Sequence, residues 1–275
     1  MCPMFLLTVY NLVFAAGLAL LTPLHLLRLC FRSKHRRSTL PRLGWQKLPT
    51  PAPGDKVVWI HSCSVGETQV SRTLCRELRK RDPELKIYLS TITETGQEVA
   101  AQILKDGLCD GHFYFPVDVA PIMSRILDQL RPSAFVVVET DLWYCCMELC
   151  RRRNIPCILV NGKISERSLE RYLKLPFFAK ALLRPFRQLL VQSSTYRDRF
   201  YPPVSSMARS KSLATLSSTW KWSIPHPKIS TPSPPSSAST ALGRWSSSAA
   251  PTPVKKSWPW RPIASCSINI PACKP

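Results

Sequence analysis

The chain has 275 residues, enough for one large domain or two small ones, and a formal net charge of +21. Hydrophobic residues make up 45% of it, which excludes a wholly disordered chain. This average conceals a division, because every acidic residue lies at or before Asp198 and the last 75 residues contain none. We therefore expect an apolar start, a globular middle and a tail of unusual composition.

The eleven cysteines are scattered along the chain and form no C-x-x-C pair. Neither a disulfide framework nor a zinc site has this spacing. We interpret the cysteines as reduced cytosolic thiols and expect no structural metal.

The first 27 residues contain no Asp, Glu, Lys or Arg, so residues 1–29 are long and apolar enough to cross a bilayer as a helix. A basic linker, residues 30–54, follows directly. Because the basic residues follow the apolar helix and none precedes it, the sequence predicts a membrane anchor with the next domain on the cytoplasmic side. A signal peptide is the alternative, but nothing basic precedes the apolar run as such a peptide requires. A tilted or shallow interfacial helix is also left open.

Residues 55–200 alternate between short apolar runs and stretches of helical spacing. The runs that predict strands are 56–61, 85–90, 112–115, 134–139, 156–161 and 189–192. The stretches between them predict helices, the last but one over 173–186. This alternation is the pattern of βαβ units and predicts a parallel, doubly wound α/β sheet. Ligands bind such sheets at the carboxyl ends of strands, so the residues after each strand are the candidates.

The turn after the first predicted strand is rich in small polar residues. Ser64 and Gly66 lie there, just before a helix whose free backbone N–H groups suit a phosphate or a sugar hydroxyl. Glu67 follows in the first helical turn. A carboxylate at that place is often no more than compensation for the helix dipole, so the pattern alone leaves its role open.

Polar residues also follow three later strands. Residues 91–96 form a hydroxyl-rich turn before a helix. Glu139 ends the fourth strand, where a buried carboxylate is unfavourable unless something pairs with it, and this favours a function. Residues 161–168 include Arg167 and two serines that are helix-capping candidates.

Together these turns resemble the Kdo (3-deoxy-D-manno-octulosonic acid) transferases of lipopolysaccharide synthesis. The matching pieces are HSCSVGE at 61–67, TITETG at 91–96, VVVETDLW at 136–143, RRRNIPCILVNGKISERS at 151–168 and VQSSTYRDRF at 191–200. They come in the family's order and spacing, and the resemblance covers residues 1–200, the anchor included. The sequence departs from the family at Asp141 and Tyr144, where the family usually has glutamate and proline.

The resemblance implies a two-lobed glycosyltransferase of the GT-B type. Residues 55–200 would be its Rossmann-like N-terminal lobe, which receives a lipid A precursor (lipid IVA) at the cytoplasmic face of the inner membrane. The C-terminal lobe would bind the donor, CMP-Kdo. The implied reaction is a displacement at the anomeric carbon of Kdo, with CMP leaving and with no metal or cofactor. An anionic lipid acceptor would also account for the excess of Lys and Arg.

The resemblance also assigns roles to residues. Glu67 matches the family's general base, which takes the proton of the acceptor hydroxyl and is worth roughly a hundred- to ten-thousand-fold in rate. Glu139 matches a carboxylate that stabilises the transition state. Ser64, Gly66 and Arg167 match positions expected to hold the acceptor or its phosphate.

After Phe200 the resemblance stops, and residues 201–275 predict a disordered, Ser/Pro-rich, low-complexity tail. A genuine disordered extension is one interpretation. The other is a one-nucleotide frameshift near residues 200–203, since codons begun one nucleotide earlier permit a GNLKFD turn and an acidic helix like those of the family's donor lobe. The lysine of that turn would straddle the codons of Leu216 and Ser217. On this interpretation the chain lacks its donor lobe and is expected to be inactive.

Three other functions are weighed against this one. One is a non-enzymatic, membrane-tethered lobe that binds lipid A precursor. Another is a different GT-B glycosyltransferase. The high positive charge also suggests a nucleic-acid binder. Against that, the Lys and Arg residues of the tail are spread singly, and no nucleic-acid-binding motif is present.

Overall fold

The structure is a computed structural model that describes residues 3–31, 33–205 and 212–215, with side chains described for residues 4–23 and 38–200. The described elements alternate between helices and strands. In chain order they are α1 (Pro3–Phe31), α2 (Ser33–Arg42), β1 (Val57–His61), α3 (Val65–Arg81), β2 (Lys86–Thr91), α4 (Glu94–Lys105), β3 (Gly111–Tyr114), α5 (Ala120–Leu130), β4 (Ala134–Val138), α6 (Tyr144–Arg152), β5 (Cys157–Gly162), α7 (Glu166–Lys174), α8 (Pro176–Leu183), β6 (Phe186–Val191), α9 (Ser194–Ser205) and β7 (Ser212–Thr215).

The strands form one parallel sheet in the order β3-β2-β1-β4-β5-β6-β7. The chain builds outward from β1 in one direction and then, from β4 on, in the other. This reversal is the topological switch of doubly wound folds, and it opens a crevice at the carboxyl ends of β1 and β4. The predicted Rossmann-like α/β lobe with an apolar N-terminal helix is therefore confirmed.

Helices cover both faces of the sheet, which is why β1 is buried along its whole length. Alternate residues of β1 enter opposite cores. Trp59 packs on Phe135 and Phe113, with ring centroids 4.5 and 5.7 Å apart, on the face that α5 and α6 cover. Val58 and Ile60 point into the core beneath α3 and α4. The period-two pleat brings His61 to the same face as Trp59, at the end of the strand that opens into the crevice.

One predicted helix is wrong in its extent. Residues 173–186 form parts of two helices, α7 and α8, and a strand that already begins at Phe186. The break lies at Pro176, whose ring disfavours helical geometry at the residue before it. Leu175 accordingly has φ −126° and ψ 64° and ends α7, while Pro176 occupies the first turn of α8.

The segment interpreted as a basic linker, residues 30–54, includes helix α2. After α2, the side-chain amide of Gln46 pairs with the backbone of Tyr114 on β3. Its Oε1 accepts from the Tyr114 N–H at 2.9 Å, and its Nε2 donates to the Tyr114 carbonyl at 2.8 Å. Gln46 thus satisfies part of the open edge of the sheet, which holds the segment against the lobe.

Two described segments of the predicted tail, residues 201–205 and 212–215, belong to elements of the lobe. Helix α9 continues to Ser205, and β7 pairs in parallel with β6. Backbone pairing satisfies the open N–H and C=O groups of β6 whatever the composition of the added strand. Residues 206–211 and 216–275 lie outside the described residues, and with them Leu216 and Ser217, whose codons would encode the donor-lobe lysine in the shifted frame.

Helix α1 is long and apolar enough to cross a membrane, with a candidate span from Met4 to Pro23 of mean hydropathy 2.1. It is nonetheless joined to the lobe by hydrogen bonds. The Tyr10 hydroxyl donates to Asp118 Oδ2 at 2.7 Å, and Asn11 Oδ1 accepts from the Ala120 N–H at 2.7 Å. Asp118 is fully buried and also accepts from the backbone N–H groups of Cys145 and Cys146, at 2.9 and 2.8 Å. One carboxylate therefore caps α6 and holds α1.

The buried Asp118 predicts a pH dependence of stability. Burial raises its pKa to about 6, although the hydrogen bonds from Tyr10, Cys145 and Cys146 act in the opposite direction. The folded chain then binds more protons than the unfolded chain between about pH 4 and pH 6, so the free energy of unfolding should fall as pH rises through this window. Asp118 should contribute up to about 3 kcal/mol to that fall.

Unfolding midpoints of the detergent-solubilised chain between pH 4 and pH 7 test this dependence. The variant Asp118→Asn should flatten it, while Asp128→Asn, at a carboxylate that is 64% exposed, is the matched control. An unchanged slope in Asp118→Asn contradicts the assignment.

Candidate active site

The two carboxylates singled out by the sequence lie on either side of the switch. Glu67 follows β1 through a short turn, and Glu139 directly follows β4. The two strands are neighbours and run in parallel, so both turns open at the same edge of the sheet. The structure therefore brings both residues to the crevice where doubly wound folds bind their ligands.

Glu67 is held in place by the turn that precedes α3. Ser64 is the N-cap of the helix; its hydroxyl donates to Glu67 Oε1 at 3.0 Å and accepts from the Glu67 N–H. Glu67 Oε2 accepts from the Cys63 N–H at 2.5 Å. This is close to a capping box, in which an N-cap residue and a glutamate three positions later satisfy the free N–H groups of a helix start.

The capping role and a catalytic role are compatible at Glu67, because its surroundings change its basicity. Burial raises its pKa and outweighs the hydrogen bonds from Cys63 and Ser64, while the charges of Glu139 and Asp141 raise it further. The three carboxylates thus share one crevice. A carboxylate with a raised pKa is a better proton acceptor, which is the property that a general base requires.

Glu139 has a partner that the sequence did not reveal. Its carboxylate, 15% exposed, pairs with Lys163 Nζ at 2.6 Å. Its backbone is in the left-handed region, with φ 65°, and its N–H donates to the Val160 carbonyl at 2.8 Å. Non-glycine residues occupy this region at a cost, and such residues cluster at functional sites. The only signal for Lys163 in the sequence was a basic residue just after the fifth strand.

The Glu139 and Lys163 turns are also joined through Thr140. The Lys163 N–H donates to Thr140 Oγ1 at 3.2 Å, and the Thr140 hydroxyl donates to the Lys163 carbonyl. Asn161, at the end of β5, has φ 60°. Left-handed residues thus occur at the carboxyl ends of two neighbouring strands, in the region where Glu139 and Lys163 pair.

A second pair, His61 and Asp141, was missed by the sequence analysis. His61 is buried at the end of β1, and its Nε2 lies 3.0 Å from Asp141 Oδ2. On its other side, His61 Nδ1 lies 3.0 Å from Ser90 Oγ. Burial raises the pKa of Asp141, but the hydrogen bonds from His61 and from Trp143 outweigh it and leave the pKa below its usual value. The pair ties the Glu67 turn to the Glu139 turn.

Two more side chains complete this part of the crevice. The Cys63 thiol donates to Asp141, and burial, with the charge of Asp141, raises its pKa to about 12, so it is not a nucleophile at neutral pH. Arg42, at the end of α2, lies near Cys63 and Asp141, and burial lowers its pKa. Within the described part of the chain, Arg42 Nε is buried without a hydrogen-bond partner. An anion in the crevice would supply one.

The TITETG turn supports the Glu67 turn from the side. Thr93 caps α4 by accepting from the Gly96 N–H at 3.1 Å, and its hydroxyl donates to the Cys63 carbonyl at 3.2 Å. A Cβ on Gly96 would lie 2.9 Å from Thr93 Oγ1, too close for any side chain. Glycine is favoured there because the side chains of Thr93 and Thr91, in the same turn, pack directly against the start of α4.

The remaining predicted site residues lie as follows. Gly66 is exposed in the first turn of α3, beside the half-buried Ser64, so the start of the helix is open to a ligand. Arg167 is exposed in the first turn of α7, and it is Lys163 of the same loop that contacts a crevice carboxylate. Among the described residues, no group of three or more His, Cys, Asp or Glu is placed to hold a metal ion.

Comparison with known proteins identifies the family. A family model described as 3-deoxy-D-manno-octulosonic-acid transferase (kdotransferase) matches residues 37–212, well over half of the chain. The chain belongs to the Kdo transferase family. The match runs past Phe200, where the sequence alone had placed the end of the resemblance, and reaches the first residue of β7. It includes Arg42 and every crevice residue described above.

Curated relatives agree with this assignment. A 3-deoxy-D-manno-octulosonic acid transferase of Chlamydophila psittaci is 30% identical over 167 residues, which are 61% of this chain and 38% of that protein. The Haemophilus influenzae transferase of the same name is 33% identical over 148 residues, 54% of this chain and 34% of that protein. A bifunctional glycosyltransferase/methyltransferase of Fusobacterium nucleatum is 34% identical over 145 residues, 53% of this chain and 22% of that protein. The chain thus matches less than half of the length of these three relatives.

Solved structures resemble the lobe only distantly. The UDP-GlcNAc 2-epimerase from Neisseria meningitidis, bound to UDP-GlcNAc, has a TM-score of 0.44 and 10% identity, over 59% of this chain and 46% of that one. A glycotransferase of kitacinnamycin has a TM-score of 0.30 and 16% identity, over 56% of this chain and 41% of that one. The fold assignment of this Kdo transferase family member therefore rests on its own strand order.

The Glu139–Lys163 pair can be tested by a double-mutant cycle on stability. Lys163→Met leaves the Glu139 carboxylate largely buried without its cation and should lower the free energy of unfolding by about 1–2 kcal/mol, the lysine being half exposed. Glu139→Gln removes the charge that needs a partner, so the double variant should lose less than the sum of the two single variants. Additive losses in chemical unfolding contradict the pairing.

Proposed function

We propose that residues 37–212 are the acceptor-binding lobe of a transferase that moves Kdo from CMP-Kdo to a lipid A precursor, lipid IVA, at the cytoplasmic face of the inner membrane. The single observation that carries the proposal is the placement of Glu67. It lies at a helix start in the switch-point crevice of a Kdo transferase family lobe, with a raised pKa. That is the environment of a general base beside a bound sugar.

The proposed chemistry is one displacement. Glu67 takes the proton of an acceptor hydroxyl, and the hydroxyl oxygen forms a bond to the anomeric carbon of Kdo. The bond from that carbon to the phosphate oxygen breaks, and CMP leaves with the electron pair. Positive charge develops on the Kdo ring as the bond breaks, and the Glu139 carboxylate would stabilise it electrostatically. Lys163 would hold Glu139 in the orientation for this task.

Binding of the acceptor is assigned to the cationic side of the crevice. The phosphates of a lipid A precursor would interact with the free N–H groups at the start of α3, beside Ser64 and Gly66. Arg42 would donate its unpartnered Nε–H to the same anion. Arg167, exposed at the start of α7, is proposed to contact the same acceptor.

We further propose that the polypeptide as written binds the acceptor without completing the transfer. The sequence beyond β7 carries no acidic residue and resembles no donor lobe, and the lysine expected of that lobe is lost in the present reading frame. The non-enzymatic, membrane-tethered lipid-binding lobe is therefore the second candidate function. The crevice proposed to hold the acceptor is formed by described residues of the α/β lobe and α2, which favours it.

A binding measurement with the purified full chain in detergent tests both proposals. Lipid IVA should bind, and a dephosphorylated form of the same lipid should bind at least ten-fold more weakly. Arg42→Gln should weaken the binding of lipid IVA about ten- to a hundred-fold, the worth of one charge-assisted hydrogen bond. Arg76→Gln, which removes an exposed charge on α3, is the matched control and should bind like the parent chain.

In the same preparation, CMP-Kdo should not be turned over. Turnover by this polypeptide contradicts the proposed inactivity. If the chain is folded, as a cooperative unfolding transition shows, and still does not bind lipid IVA, the acceptor-lobe assignment is contradicted.

The origin of the tail is decided by the gene. Resequencing codons 190–280 and about 450 nucleotides beyond them, the length a second lobe requires, should reveal one added or missing base near codon 201. An open frame that encodes a GNLKFD turn should follow. A confirmed present frame contradicts the frameshift and leaves the tethered lipid-binding lobe as the function of this chain.

A further inference from the structure

The first half of α1 is part of the lobe. Leu7 is buried, and Tyr10, Asn11 and Phe14 share its face of the helix, three, four and seven residues further on. The Tyr10 ring packs between those of Phe14 and Tyr144, with centroids 5.7 and 5.2 Å away. These contacts form an inward face, residues 7, 10, 11 and 14, that docks onto the starts of α5 and α6.

The inward face is polar at its centre. Tyr10 donates to the buried Asp118, and Asn11 accepts from the Ala120 N–H at the start of α5. Asp118 and the two helix starts belong to the lobe, whose strands and loops end beside them. A hydrocarbon interior does not accommodate a carboxylate or loop backbone exposed to lipid. Residues up to Phe14 therefore cannot enter the hydrocarbon while they are docked on the lobe.

The remainder of α1 is too short to span a bilayer. Between Phe14 and Arg28 lie thirteen residues without a charge. At 1.5 Å per residue, thirteen residues cover only about 20 Å of helix. The hydrocarbon core of a bilayer is about 30 Å thick, and apolar stretches of this length are typical of interfacial segments.

The outward face of α1 is apolar and lacks a protein partner in the described part of the chain. Its large side chains are strongly exposed: Met4, Phe5, Leu12, Val13, Leu20 and Leu21 are 57–81% accessible. Helix α2 contacts α1, and Leu40 and Trp45 at its end are 54% and 69% exposed. Tryptophan favours the boundary between headgroups and acyl chains.

Charge selects the occupant of this surface. The segment from residue 28 to residue 47 contains seven Lys and Arg residues and no acidic residue, directly after the apolar residues of the helix. Clustered basic residues beside an apolar face are attracted to anionic lipid headgroups. A second copy of this chain would present the same positive charge and be repelled.

We propose that α1 lies in the plane of an anionic bilayer instead of spanning it, with its inward face on the lobe and its outward face among the acyl chains. The N-terminus and the lobe are then on the same side of the membrane. This inference deepens the proposed function, since it places the crevice at the height of lipid headgroups. Its test requires neither donor nor acceptor, so it stands or falls separately from lipid IVA binding.

The experiment determines on which side the N-terminus lies. A protease-cleavable tag is placed ahead of Met1 of the full chain, which is reconstituted into sealed vesicles of phosphatidylcholine and phosphatidylglycerol. Protease is added outside, without detergent, and cleavage of the tag is compared with trypsin cleavage of the lobe. If α1 lies in the plane of the bilayer, the fraction of tags cleaved equals the fraction of lobes cleaved, whatever share of the protein faces outward. If α1 spans the bilayer, the tag is cleaved only where the lobe is protected, and this result would overturn the proposal.

Variants test the docking that enforces this arrangement. Tyr10→Phe combined with Asn11→Leu removes both hydrogen bonds and should lower the unfolding midpoint of the lobe by several degrees. The matched control is Thr8→Val with Thr22→Val, since within the described residues these exposed hydroxyls bond to the carbonyls of Met4 and Leu18 in the same helix. The control should keep both the midpoint and the equal accessibility.

Three further outcomes are decisive. The proposal is supported if the chain floats with vesicles that contain phosphatidylglycerol, and if fewer chains float when salt is added or when the vesicles consist of phosphatidylcholine alone. An unchanged midpoint in the Tyr10 and Asn11 double variant overturns the docking. Failure to float, with elution as a detergent-free dimer, shows that a second copy covers the outward face and also overturns it.

Discussion

The hydrogen bond between His61 and Asp141 joins the two halves of the site. Because the order of the parallel sheet reverses between β1 and β4, the chain leaves these strands toward opposite sides, and the backbone pairing between them ends at His61 and Val137. His61 lies at the end of β1 and Asp141 beyond the end of β4, and their contact closes that gap at 3.0 Å. Ser90 from β2 fixes the other side of the imidazole, so three neighbouring strands support one crevice.

The balance of charge in the crevice follows from this arrangement. Three carboxylates, Glu67, Glu139 and Asp141, lie within reach of one another in a partly buried space, where like charges oppose ionisation. Asp141 is stabilised as an anion by its hydrogen bonds, and Glu139 forms an ion pair with Lys163. Glu67 has only neutral donors, and its pKa rises. The residue with the least compensation is therefore the one with the character of a base.

The lobe and its apolar helix form one unit. Asp118 caps α6 on one side and binds Tyr10 of α1 on the other, so the attachment of the helix is built into the folding of the domain. Arg42 enters the crevice from α2, the helix that follows α1. The segment between the apolar helix and the sheet thus contributes to the site, and the apolar helix and the crevice are placed relative to each other by short-range contacts.

Local pattern determined much of this protein. The β-branched runs of β1, β4 and β5 are typical of strands that are buried on both faces of a parallel sheet, so the sequence predicted these strands. Glu67 and Glu139 were predicted as site residues because they follow β1 and β4. The break between α7 and α8 could also have been predicted from Pro176, but the prediction of one helix over residues 173–186 did not take this proline into account. What only the tertiary structure decided are the partners: Lys163 for Glu139, Asp141 for His61, and Asp118 for Tyr10, 108 residues away. Sequence periodicity reports which face of an element is buried, because that depends on near neighbours along the chain, but which side chains meet depends on how distant turns converge at the edge of the sheet.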